Sequence, residues 1–191
     1  LQQVSLVDSR RFRTGRISLD FAHTGGDGPL AVWELLLHTP DDLARWLLVV
    51  TDPIGVDEVA ATVDDVARAR WLRTAIWNTA QRAIGGHPPA PADRAAINEV
   101  AAGRAPVPEL TATGIGIGLP VDAANLLVAV ARDAIDLFGG PEAERVRECA
   151  SDTCQLLFVD RSRPGARRWC SMQRCGNLAE VRAHRAKGPT T

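Results

Sequence analysis

Cys149, Cys154, Cys170 and Cys175 are the residues whose type and spacing promise chemistry. They form the pattern C-x4-C-x15-C-x4-C, and no cysteine precedes them in the chain. Zinc takes four soft or borderline ligands in a tetrahedron, and two close cysteine pairs brought together by a hairpin supply them. A redox pair and four separate core thiols are the alternatives, since free cysteine is a common core residue. The crowding of every cysteine near one end favours the metal. Four cysteines close the coordination shell, whereas a catalytic zinc keeps one position open. The expected cofactor is therefore one structural Zn2+ ion, folding a segment too small to bury a core of its own.

The residues between the pairs suggest how they meet. "QLLFVD" has strand composition, "RSRPGA" is a turn, and "RRW" returns the chain to the second pair. The second pair then opens a basic helix, whose positive end favours thiolates. Knuckle, hairpin and ligand-bearing helix make a treble-clef-like layout.

These residues resemble a known family. "CASDTCQLLFVDRSRPGARRWCSMQRCGNLAEVRAHR" resembles the CGNR zinc finger in its two cysteine pairs, in Phe158 and Asp160, in Trp169-Cys170-Ser171-Met172 and in Cys175-Gly176-Asn177. Upstream, "ISLDFAHT" resembles the opening motif of the ABATE domain, and the helices bearing Trp46 and Arg73 fit its general pattern. The resemblance implies a bacterial, stress-induced transcription regulator whose finger binds nucleic acid. The chain departs from the motif at Leu178, where the family has arginine.

Charge bears on that expectation. The whole chain has a net charge of -1, which is no electrostatic design for nucleic acid. Between Arg161 and Lys187, however, eight basic residues face one acid, Glu180. The expected nucleic-acid contacts are Arg161, Arg163, Arg167 and Arg168 on the turn, and Arg174, Arg182 and Arg185 on the helix. DNA is expected ahead of RNA. The alternative is a solvated face on a protein-interaction module that zinc merely staples.

The fold class expected is α+β: a mostly helical N-terminal domain with short hairpins, residues 1–140, and the zinc finger, residues 141–191. Gly139-Gly140-Pro141 is the natural break. Residues 11–21 alternate and read as strand or hairpin. "TPDDLARWLL" reads as a helix capped by Thr39, with Pro40 at its first position. A long helix runs from about Val56 or Thr62 to Ile84, with Val66, Trp71 or Ala69, Leu72, Ile76 and Ala80 on its apolar face. "PADRAAINEVAAG" is a shorter helix, residues around Thr113-Gly114 form a β-hairpin, and Val121 to Phe138 form another helix closed by glycines.

Other chemistry is thin. Asp20 and His23 could pair as acid and base, but a structural role suits them better. "GIGIG" lacks the spacing of a dinucleotide site. Trp33, Trp46, Trp71 and Trp77 suit core packing better than a ligand pocket. The chain is expected not to be an enzyme. The longest apolar runs fall short of the ~20 residues needed to span a membrane, and the first residues lack a signal pattern. The expected compartment is the cytoplasm. A small-molecule ligand of the N-terminal domain and a homodimer are further expected partners.

Overall fold

The computed structural model describes residues 14–24, 37–51, 56–112, 114–118, 120–152, 154–177 and 181. Trp33, Leu178, Arg182 and Arg185 lie outside the described residues, as does the side chain of Arg174. Among the described residues there are five α-helices and two short hairpins. In chain order these are α1 (Ile17–Ala22), α2 (Pro40–Thr51), α3 (Val63–Ile84), α4 (Pro91–Ala101), β1 (Pro108–Thr111), β2 (Gly114–Ile117), α5 (Ala123–Gly139), β3 (Val146–Glu148) and β4 (Leu157–Val159). A π-helical turn covers Met172–Gly176.

Residues 17–22 correct the sequence expectation: they are a helix, not a strand. The alternation is real, but Leu19, Phe21 and Ala22 are all fully buried, and tertiary packing overrides a two-residue period over so short a segment. Asp20 accepts the Thr14 amide hydrogen at 2.8 Å, closing the turn before the helix. Ser18 donates its hydroxyl to Asp133 of α5 at 2.5 Å, fixing the helix against its neighbour.

α2 begins at Pro40 as expected, with the Thr39 hydroxyl bonded to Asp42 at 2.9 Å. α3 starts at Val63 because Thr62 and Asp65 form a reciprocal capping box. Its apolar face uses Ala69, which is fully buried, rather than Trp71, which is 44% exposed. Asp122 caps α5 by accepting the Asn125 amide hydrogen at 2.7 Å, so the helix begins two residues later than expected. β1 and β2 pair antiparallel around the predicted turn, Leu110 facing Ile115.

The main core gathers Phe21, Leu43, Leu47, Leu72, Ile76, Val100 and Leu127 from α1 to α5. A second core matters more for function. Leu19 of α1, Ala80 of α3 and Leu137 of α5 pack with Val146, Leu157 and Val159 of the second hairpin. The hairpin next to the cysteines therefore shares its apolar interior with the helices.

Its pairing also corrects the sequence reading. Leu157–Val159 pairs with Val146–Glu148, upstream of the first cysteine pair, and not with the returning Arg167–Trp169. The reason lies in Arg145, whose guanidinium and carbonyl both bond to the Asp160 backbone, at 2.9 and 2.8 Å.

Candidate metal centre

The first cysteine pair sits on the loop that this hairpin closes. The Cys149 amide donates to the Leu156 carbonyl, and the Cys154 amide donates to the Ser151 carbonyl, each at 2.9 Å. Together these bonds hold Cys149 and Cys154 on one knuckle. The second pair comes from the π-helical turn, where the Cys175 amide bonds to the Ser171 carbonyl at 3.0 Å. Gly176 leaves room for the Met172 side chain, whose sulfur a Cβ would approach to 2.6 Å. The knuckle and the returning chain are joined by the Ala150 amide, which donates to the Arg168 carbonyl at 2.9 Å.

The four Sγ atoms all lie within 4.8 Å of one another. Cys154 and Cys170 are 3.5 Å apart, and Cys170 and Cys175 are 3.7 Å apart, sulfur to sulfur. A zinc ion bound to four sulfurs at about 2.3 Å needs tetrahedron edges of about 3.8 Å, so the cluster has the right size. A disulfide needs about 2.05 Å and is not formed. Cys149 and Cys175 are buried, Cys154 and Cys170 half-buried. The Cys170 amide lies 3.5 Å from the Cys149 sulfur, a donor suited to a metal-bound thiolate.

The titration of the thiols supports the same fit. As free groups they conflict: a hydrogen bond from Cys170 pulls the Cys154 thiol down. Cys170 is pushed up by that same bond and by burial, and Cys175 by burial and its bond to Cys154. Four thiolates so close together need a divalent cation to ionise as a set.

A family model for the CGNR zinc finger matches residues 145–188. The ABATE model, described as "Putative stress-induced transcription regulator", matches residues 15–141. The chain belongs to the ABATE family. A search of curated proteins gives no match. The cysteine cluster is the site of one structural zinc ion in the CGNR finger that follows the ABATE region.

Around the metal site the arginines divide. Arg161 is held in a fork by Glu142, with Nε and Nη2 at 2.6 and 3.0 Å from the two carboxylate oxygens. That bond from Arg161 holds Glu142 below its ordinary range. Glu142 also accepts from Arg16 at 3.1 Å, and Arg16 reaches on to Asp133 and Asp136 of α5. Arg161 is thus part of an ion-pair chain joining the finger to the helices.

Arg167 also has an internal role. Its guanidinium donates to the carbonyls of Trp169 and Cys170 and lies 4.8 Å above the Phe158 ring. Its amide donates to Asp160 at 2.8 Å. Asp160 is fully buried, and burial alone would raise it. Bonds from the Ser162 hydroxyl, the Arg167 amide and the Ser162 amide outweigh that and hold it low. This carboxylate, flagged in the sequence only by resemblance, sets the shape of loop 160–168. Arg163 and Arg168 remain exposed on that loop, with Arg168 stacked 5.1 Å from the Trp169 ring.

His23 and Asp20 each bond within the fold, Asp20 to the Thr14 amide. His23 Nε2 accepts the Leu157 amide hydrogen at 2.8 Å, and its ring meets Trp77 edge-on at 5.5 Å. Trp46 is buried against Phe21, with ring centroids 5.0 Å apart. Arg73, the other residue noted from the ABATE resemblance, is buried and donates to the Thr24 carbonyl at 3.1 Å.

Proposed function

We propose that the zinc finger binds nucleic acid, duplex DNA foremost, and that the ABATE region senses a signal or dimerises. The finger and the helices would act as one coupled unit. The observation that carries the proposal is loop 160–168, which Asp160 pins beside the zinc site and which presents Arg163 and Arg168 to solvent. A fixed loop offers its cations to phosphate at low entropic cost. Coupling is supported by the core that the hairpin shares with α1, α3 and α5. No catalytic step is assigned to this chain. No helix among the described residues is long and apolar enough to cross a membrane. A regulator of bacterial genes would work in the cytoplasm.

The test is fluorescence anisotropy of labelled duplex DNA with the zinc-loaded protein across a salt series. Binding should weaken with salt, the slope counting phosphate contacts at about -0.9 each. The Arg163→Ala/Arg168→Ala double variant should weaken it further and flatten the slope. No binding at low salt would overturn the proposal.

A second reading is a protein-interaction module with a purely structural zinc. It is favoured by the internal commitments of Arg161 and Arg167 and by the exposure of Met172, at 53%, next to the metal site.

A further inference from the structure

The ABATE region contains a cavity of about 440 Å³ beneath the first hairpin. Ile17 of α1, Leu47 of α2, Ile115 and Ile117 of β2, and Ala129 and Arg132 of α5 line it. Its remaining walls are apolar as well, contributed by Leu126 and Val130 of α5 and by Ala105, Pro106 and Pro108. The volume falls within the range of small-molecule sites, about 300–1,000 Å³. It is not the tryptophan-lined pocket considered from sequence, for no tryptophan is among these residues.

Two features set the chemistry of an occupant. The first is a wall with almost no polar surface, which selects a hydrocarbon body. The second is Arg132, the only charged residue among the lining residues described. Its Nε and Nη2 donate to the carbonyls of Ala101 and Gly103, each at 3.0 Å, at the end of α4. Those bonds hold the guanidinium still and occupy part of its five-donor fork. No carboxylate on the lining competes for the rest. A fixed cation at the rim of an apolar cavity matches an amphiphile with an anionic head.

The hairpin is suited to admitting one. Ile115 is 70% exposed although it lines the cavity, and Leu110 opposite it is 92% exposed. Apolar side chains left in water at a cavity mouth gain by covering a hydrocarbon ligand.

We infer that this cavity binds a hydrophobic carboxylate, seating its apolar body between the hairpin and α5 and its anionic head at Arg132. The inference gives a place and a ligand class to the sensing role proposed above. It rests on that role only for its biological use, not for binding itself.

The test is isothermal titration of the full zinc-loaded chain with dodecanoate, below its micelle concentration, with dodecanol as the uncharged control. One saturable site per chain is expected, with dodecanol at least tenfold weaker. Ala129 is exposed on the cavity floor, so Ala129→Phe should fill the space and weaken dodecanoate at least tenfold without lowering the Tm of the free protein. Ile115→Asp, at the exposed rim, should weaken dodecanoate more than dodecanol by charge repulsion. Equal binding by Ala129→Phe, or the absence of saturable binding, would overturn the inference. A dimer in sedimentation that Ala129→Phe dissociates would also overturn it, making the cavity an interface. DNA anisotropy of Ala129→Phe without ligand should equal wild type, so failure of DNA binding and failure of this site are read separately.

Discussion

The ring of His23 accepts the amide hydrogen of Leu157 at 2.8 Å, joining the first helix to a strand of the finger 134 residues away. The pair is buried, so water cannot replace the bond. Burial lowers His23 to about 4, despite the opposing bond to Leu157. The folded protein therefore holds this histidine neutral while the unfolded chain protonates it near pH 6.5. The unfolded state binds more protons between about pH 6.5 and 4. Stability is full above pH 6.5 and falls through that window, by about 3 kcal/mol in the limit. His23→Gln, which keeps an acceptor but does not titrate there, should remove that part of the pH dependence. The check is chemical denaturation of both proteins from pH 4 to 7.5; parallel curves would refute it.

Zinc removal should act beyond the finger. Phe158 packs with Cys149, Cys175 and Leu156, while its neighbours Leu157 and Val159 belong to the core shared with α1, α3 and α5. Metal analysis should give close to one zinc per chain. Cys175→Ser should lose the metal and lower the main thermal transition, rather than split off a separate, weaker one. A metal-free protein with an unchanged Tm would contradict the zinc assignment.

The zinc site was legible from sequence because its ligands are unmistakable in type and spacing, and four thiols have few other uses in such a pattern. The hairpin partner was not legible. "RRW" and "VRE" are equally short, and the second is chosen by Val146, buried in the core shared with the helices, and by the bonds of Arg145 to the Asp160 backbone. The arginine surface was half legible. Sequence gives the charges but not their partners, and Glu142, nineteen residues before Arg161, has no spacing that marks it. The first helix was misread because six residues carry too little periodicity to separate the two patterns, whereas α3 and α5 carry enough.

Arg161 should matter less to nucleic-acid affinity than Arg163 and Arg168. To meet a phosphate it must leave a two-bond pair with Glu142. That pair is partly exposed, with Arg161 at 56% and Glu142 at 27%, so its contribution to stability should be about 0.2–1 kcal/mol. Glu142→Gln should free the guanidinium, at that cost plus a weakened bond to Arg16, and tighten DNA binding, with a steeper salt slope. Unchanged affinity in Glu142→Gln would mean that Arg161 does not face the nucleic acid.

Two leucines distinguish the core from the hairpin rim. Leu157 is fully buried between the zinc knuckle and the helices, and Leu110 is 92% exposed at the first hairpin. Leu157→Ala leaves a cavity in a core that both parts of the chain share, and should cost about 2–5 kcal/mol. Leu110→Ala removes a side chain that packs on little and should stay within about 0.5 kcal/mol. Because Leu157 also donates its amide to His23, Leu157→Ala keeps that bond and tests packing alone, while a double variant with His23→Gln measures how far the two are coupled. Contacts this close should give a non-additive difference of about 0.5 kcal/mol or more. Denaturant titration of the single and double variants decides it. Strict additivity would mean that the hydrogen bond and the apolar contact hold the finger to the helices independently.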